Sequence, residues 1–470
     1  MKPNNIDIDK ILKEAEGLLK QEKDLSPALK SMFGVLIMVV KLLANSLGLN
    51  SRNSSKPPSS DPNREKESRK KSDRKPGGQK GRTGTTLRQI EEPDKVQVIN
   101  VDRRTLPKGR YQVVGFEKRQ VFDIDISRLV TEYQAEVLES AEGKRFVASF
   151  PEGVTKAVQY GNNLKAHAVY MSQYQLLPYN RIEEYFSEQL RVPVSSGSLF
   201  NFNREAFDKL ASFDVIVKDK LAAAKLAHTD ETGINIDGKR RWLHVVSNDS
   251  WTYFSPQEKR GKEAMDEIGI LPRFRGVLCH DHWKPYYQYR ECLHSLCNSH
   301  HLRELTRAWE QDNQRWARQT KELLEELNRE VKTSGGQLEA AESDLYRKRY
   351  RGILAEAERE CPPPEDKQRK GKRGRIKRSK SRNLLERLIN YEEDVLRFMD
   401  DPAIPFTNNQ GENDIRMTKV QQKISGCFRS LDGAQMFCRI RSYLSSCRKQ
   451  DISSSLAMEF LFKGEMPEFI

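Results

Sequence analysis

Along this chain the apolar positions change period several times, and each change marks a boundary. IDKILKEAEGLL places its apolar residues at helical spacing, and Leu29, Phe33, Leu36, Val40, Leu43 and Leu47 then recur alternately four and three residues apart. That alternation is the seam of a coiled coil, and over about three heptads it suits a hairpin folded on its own chain nearly as well. Residues 1–50 therefore read as a helical N-terminus with a coiled-coil candidate for self-association. The periodicity then stops: GLNSRNSSKPPSSDPNREKESRKKSDRKPGGQKGRTGTT is almost devoid of apolar residues and cannot bury enough surface to fold alone, so 51–92 reads as a flexible, disordered basic linker.

From RYQVVGFEKRQVFDIDISRLVTEYQAEV to SFPEGV the period becomes two, which predicts a small β-rich domain over 93–155. Residues 156–222 return to helical spacing, with Ser195 or Ser196 as a cap after the RVPV turn. The pairing there resembles a helix-turn-helix for DNA binding, the alternative being a scaffold beneath the next domain. KLAHTDETGINI, RRWLHVVSND and WTYFSP then read as an antiparallel meander, and GVLCHD as a short buried strand. A charged helical stretch follows, HLRELTRAWEQ, KELLEELNREVK, LYRKRYRGILAEAERE and, after a Pro-rich break, LLERLINYEEDVLRFM. The expected architecture is α/β: a core over 223–300 and 401–450, split by an all-helical insertion at 301–400 and closed by a tail at 451–470.

Composition sharpens the picture. The 470-residue chain has 81 Lys and Arg against 67 Asp and Glu, a net charge of +14, and a pI near 9.3. The excess is clustered, in the linker and in DKQRKGKRGRIKRSKSRN inside the helical insertion, which favours a polyanionic partner such as nucleic acid over general solubility. All seven cysteines fall at Cys279 or later, no secretory signal opens the chain, and reduced thiols in a cytoplasm are expected. The longest apolar run, Met32 to Val40, is about half of the roughly 20 residues a membrane span needs, so no transmembrane segment is expected.

Three acids stand out. Asp230 lies on or beside the first strand of the meander, Asp281 at the end of the buried strand, and Glu412 in FTNNQGENDIRMTKVQQK, a helix that Asn408 or Asn409 would cap. Alone, each reads as a turn aspartate, a strand-end aspartate and a salt-bridge partner of Arg416. Together they are three carboxylates on separate elements, the pattern that holds hard divalent cations for in-line displacement at phosphorus. About fifty residues separate the first two, enough for a meander and a crossover helix; more than a hundred separate the second and third, far more than one connection needs. Arg416, Lys419 and Lys423 share the helical face of Glu412 and are the best candidates for phosphate contacts, with Lys259 and Arg260 ranked behind them.

HTDETG, DHWKPYY and above all PFTNNQGENDIRMTKVQQKISGCFRS resemble the bacterial insertion-sequence transposases of the family numbered sixty-six, and the resemblance covers nearly the whole chain. It implies a ribonuclease-H-like core with an Asp-Asp-Glu triad, carried here by Asp230, Asp281 and Glu412. It also implies DNA as partner, both element ends and target; cleavage and strand transfer dependent on Mg2+ or Mn2+; a homo-oligomer on DNA; accessory proteins of the same element; and a cytoplasmic, nucleoid-associated setting. A silent DNA-binding derivative and a nuclease without joining activity are the alternatives. Relatives often carry a zinc knuckle in the β-rich region, but with no cysteine before Cys279 the paired ligands are missing and zinc is not expected. Cys297 and His300 form a Cys-x-x-His spacing that, without a second pair, reads as structural, and His280 and His282 read as packing or DNA contacts.

Overall fold

The computed structural model describes residues 8–22, 24–47, 49–50, 52–54, 61, 86–364 and 378–470. Most of the expected linker and the first two thirds of the basic block in the helical insertion lie outside the described residues. At the N-terminus α1 (Ile8–Gln21) and α2 (Pro27–Leu47) pack together, with Lys41 paired to Glu16. Leu29, Phe33, Leu36, Val40 and Leu43 stay exposed on α2. Its Pro27–Ala44 stretch is, among the described residues, the one long and apolar enough by composition to cross a membrane, a longer window than the Met32–Val40 run because it takes in Lys30 and Lys41.

The β-rich domain expected over 93–155 reduces to one hairpin, β1 (Val137–Glu139) against β2 (Arg145–Val147). The rest is irregular chain with one 3-10 turn at Arg103–Thr105 and its apolar residues in solvent, Ile99, Val114 and Leu129 among them. Period-two alternation specifies an extended backbone, but a sheet also needs partner strands and a covered face, and a lone hairpin is marginal.

Four helices follow: α3 (Asn162–Val169), prolonged by a π-turn at Tyr170–Tyr174, α4 (Tyr179–Leu190), α5 (Ser196–Lys209) and α6 (Ala211–Ala222). Ser195 caps α5, its Oγ accepting from the Ser198 N–H at 3.2 Å. The α4–α5 pair turns Ile182, Phe186, Leu199 and Phe202 into the main core, and Arg204 on its outer side is paired with Asp432.

The sheet comprises β3 (Leu226–Ile236), β4 (Lys239–Ser247), β5 (Thr252–Gln257), β6 (Val277–His280) and β7 (Leu293–Leu296), in the order β5-β4-β3-β6-β7. The first three form an antiparallel meander; β6 and β7 run parallel to β3. Asp237 and Gly238, both at positive φ, make the tight turn between β3 and β4. The crossover from β5 to β6 passes through α7 (Lys262–Ile268) and reaches β6 at Gly276, where any Cβ would stand 2.4 Å from the carbonyl oxygens of Ala224 and Lys225. Only glycine lets the new strand approach that closely.

Between β7 and the rest of the sheet's cover lie α8 (Asn298–Asp312), α9 (Arg315–Thr333), α10 (Ala340–Glu360), α11 (Lys380–Asn390) and α12 (Glu392–Leu396). They bury their own core around Leu305, Trp316, Leu324, Tyr350, Leu385 and Phe398. The chain then returns as α13 (Asn409–Ser425) and α14 (Leu431–Lys449), which cover one face of the meander through Ile415, Phe437 and Cys438 against Ile234, Val245 and Phe254. The last segment is no loose tail: α15 (Ser454–Lys463) buries Ala457, Met458, Leu461 and Phe462 in the main core. Edge strand β5 is closed by α14, where Ser446 and Ser442, one turn apart, accept from the N–H groups of Thr252 at 3.0 Å and Phe254 at 2.9 Å. Pro256 on the same strand has no N–H to satisfy.

Candidate active site

Alternation along β3 sends His228, Asp230 and Ile234 to the face covered by α13, and Thr229 and Glu231 to the other. Asp281 follows β6 directly; its Oδ1 accepts from the Trp283 N–H at 3.0 Å, and His282 at φ 68° turns the chain away at once. Glu412 stands in the first turn of α13, where the positive end of the helix dipole favours a carboxylate.

One residue fixes α13 against the sheet. Asn408 precedes the helix, yet its side chain does not cap it: the amide donates to the Thr229 carbonyl at 2.8 Å and its oxygen lies 2.8 Å from His228 Nδ1, on either side of Asp230 in sequence. The Asn408 N–H also donates to Cys297 Sγ at 3.2 Å. Asn408 is thus the link between β3, the end of β7 and the helix that carries Glu412, a role that capping preference alone would not reveal.

The three acids converge. Burial pushes the Asp230 carboxyl up to about 8, and the negative charges of Glu231, Asp281 and Glu412 push in the same direction. Asp230 accepts one backbone hydrogen bond, from Glu231 at 2.9 Å, and among the described residues no Lys or Arg forms an ion pair with Asp230, Asp281 or Glu412. A cluster of carboxylate oxygens that no Lys or Arg pairs directly is the donor set that magnesium-class ions take.

Glu231 presents the opposite case. Its carboxylate is buried on the other face, where it accepts from Arg260 Nε at 2.9 Å and from the Tyr286 hydroxyl. The Arg260 guanidinium stacks on Trp283 and Trp242 at 4.3 and 4.9 Å. The structure therefore places Arg260, a phosphate candidate from sequence, inside a clamp, and pairs Lys259 with Glu263 at 2.6 Å. Arg416, Lys419 and Lys423 are exposed along α13, and among the described residues none has an ion-pair partner.

His280 is fully buried, 3.0 Å from His294, and packs on Tyr286 and Tyr287; His282 packs on Tyr287 and Tyr391. Burial holds both imidazoles well below their ordinary range. Two residues near the acids were not singled out in the sequence. Glu231 is hidden beside Asp230, and Arg387 of α11, paired with Glu304, brings a cation from the helical insertion into the field of Asp281. Nothing in LLERLIN distinguishes that arginine from an ordinary helix-surface residue.

Residues 157–436, more than half of the chain, match the family model described as Transposase IS66 family. The chain belongs to the IS66 family of transposases. The matched span contains the whole five-stranded sheet, the helical insertion, and Asp230, Asp281 and Glu412. Residues 1–88 match a family of unknown function, DUF6444. No curated protein is matched by the chain. As a transposase its partner is DNA, which accords with the net charge of +14.

Proposed function

We propose that this transposase is a DDE enzyme with a ribonuclease-H-like core, which binds the terminal inverted repeats of its element, cleaves a phosphodiester and joins the freed end to target DNA. The observation that carries this reading is the cluster of three acids that no Lys or Arg pairs among the described residues, with the Asp230 carboxyl raised to about 8 by burial and neighbouring acids. The sheet supports it: a meander whose last strand leads, through a crossover helix, to two strands parallel to its first suits such a core.

Asp230 and Asp281 would jointly hold two Mg2+ ions, Mn2+ being a substitute, with Glu412 completing the set. Bound there, the ions supply an activated oxygen nucleophile and stabilise the departing one. In the first step water forms the new bond to phosphorus as a 3′ oxygen leaves; in the second that 3′ hydroxyl attacks a target phosphorus and displaces the target's own 3′ oxygen. Asn408 keeps α13 against β3, so that Glu412 stays in reach of Asp230. Arg416, Lys419 and Lys423 would grip the backbone along the same helix and position the scissile bond. Assembly as a homo-oligomer on DNA, help from accessory proteins of the element, and a cytoplasmic, nucleoid-associated setting complete the reading.

The test is cleavage and joining of labelled DNA bearing the element's ends, with and without Mg2+. Asp230→Asn and Glu412→Gln should each lower both products at least about a hundredfold, a few kcal/mol of lost transition-state stabilisation, with DNA binding retained. Undiminished cleavage by either variant would overturn the assignment. Cleavage without joined products would reduce the enzyme to a nuclease.

A further inference from the structure

The first turn of α8 carries two metal-ligand side chains, Cys297 at its N-cap and His300 three residues on. Their spacing alone would be half a site. The fold supplies a third ligand from more than a hundred residues away: Glu412 Oε1 lies 3.9 Å from Cys297 Sγ and 3.8 Å from His300 Nδ1, and the three ligand atoms all fall within 4.8 Å of one another. A tetrahedral ion with bonds of 2.0–2.3 Å keeps its ligands roughly 3.3–3.6 Å apart. Modest side-chain rotation closes the difference.

A second observation points to a ligand here. His300 Nδ1 is buried and, among the described residues, has no hydrogen-bond partner although it faces Glu412, and an orphaned buried nitrogen of this kind is what a bound ion satisfies. Cys297 is 1% exposed, whereas the His300 and Glu412 side chains are 25% and 28% exposed, so the group is closed on the sulfur side and open on the other. The Asn408 N–H already donates to Cys297 Sγ at 3.2 Å, which orients the sulfur towards the group.

We propose that Cys297, His300 and Glu412 form a binding site for a thiophilic divalent cation of the zinc class, with a fourth position left to water. Thiolate and imidazole select such an ion over magnesium, which prefers oxygen throughout. Binding replaces the Cys297 proton by the metal and releases that proton to solvent. One consequence rests on the DDE reading: Glu412 belongs to both sets, so an ion held by Cys297 and His300 withdraws it from Asp230 and Asp281 and opposes the magnesium-dependent reaction.

Co2+ is the probe, because a cobalt–thiolate bond gives a near-ultraviolet charge-transfer band. Titrated into the full-length protein, Co2+ should raise that band, and Zn2+ should abolish it by displacement. Cys297→Ser should remove it, and His300→Gln and Glu412→Gln should each weaken Co2+ binding at least about tenfold, the loss expected for even an outer partner of a metal. Absence of the band in the parent protein, or equal Co2+ affinity in His300→Gln, overturns the site; the histidine variant decides the matter if Cys297→Ser does not fold. The readout is a sulfur–metal band and not DNA cleavage, so this proposal and the transposition chemistry fail separately.

Discussion

Asp230 and Glu231 are neighbours in one strand and point to opposite faces of one sheet; burial raises both carboxyls, but they differ in their partners. On the far face Glu231 is matched by Arg260, whose guanidinium is stacked on two tryptophans, and by the Tyr286 hydroxyl. On the near face Asp230 meets Asp281 and Glu412, and its carboxyl is driven up to about 8. A buried charge that the protein neutralises from within is part of the architecture, because either partner alone would be costly to bury. A buried carboxylate left among other carboxylates is held at a standing electrostatic cost that an external cation would relieve. The contrast separates two adjacent acids that composition cannot tell apart.

The contrast breaks most directly if the two acids are exchanged in role. Asp230→Asn should lower metal-dependent DNA cleavage at least about a hundredfold while leaving the fold intact. Glu231→Gln, which keeps an acceptor for Arg260 but replaces the oxygen that Tyr286 uses with a donor, should keep cleavage within about tenfold and lose stability instead. If Glu231→Gln removed cleavage as completely as Asp230→Asn at unchanged stability, the division between faces would be wrong. The clamp itself should then show up in urea unfolding. Arg260→Ala strands a buried carboxylate, and with Arg260 itself partly exposed the cost should be about 1–3 kcal/mol, below that of a fully buried pair. Adding Glu231→Gln to Arg260→Ala should recover much of that loss, since the double variant no longer buries an unpaired charge.

The two faces were not equally legible in the sequence. Asp230, Asp281 and Glu412 sit in segments whose apolar patterns point to a strand, a strand end and a helix start, and the resemblance joined them into one set. The clamp was invisible because Arg260 reads as one more exposed base in EKRGK, and only the crossover after β5 carries it back over Trp242 and Trp283. Asn408 was legible as a helix start but not as the bolt between α13 and β3, since its partners at His228 and Thr229 lie far off in sequence. The β-rich reading of 93–155 failed for the converse reason. Alternation is a local signal, and whether an extended segment finds partners is settled by the whole chain.

A smaller and more specific consequence concerns pH in the absence of divalent metal. The Asp230 carboxyl binds its proton up to about 8 in the folded chain and only to the ordinary aspartate range, near 3.8, when unfolded. Between those limits the folded state holds more protons than the unfolded one, so this group's contribution to stability is full below about 4 and is lost as pH rises towards 8. Unfolding midpoints of the parent and of Asp230→Asn, measured in chelator from pH 5 to 8, should therefore diverge, with the parent losing ground as pH rises. Parallel curves would mean that Asp230 is not held protonated. Added Mg2+ should flatten the parent's slope, because the ion displaces that proton.

The smallest effects belong to the basic residues, where the same distinction between matched and unmatched charge recurs. Arg416, Lys419 and Lys423 stand exposed along the helix of Glu412, and no ion pair engages them among the described residues, whereas Lys259 is paired with Glu263 at 2.6 Å. A cation that neutralises a DNA phosphate contributes about 0.9 to the slope of log affinity against log salt on duplex DNA. Replacing all three α13 residues by alanine should flatten that slope by about 2–3 and weaken binding similarly for every sequence, since phosphate contacts carry no base information. Lys259→Ala should leave the slope nearly unchanged. Its exposed pair with Glu263 is worth little to stability, and breaking it removes a charge already partly cancelled by its neighbour. If Lys259→Ala flattened the slope as much as any α13 substitution, the DNA path would have to run over the start of α7 as well, and the unmatched stripe would lose its claim to mark the path alone.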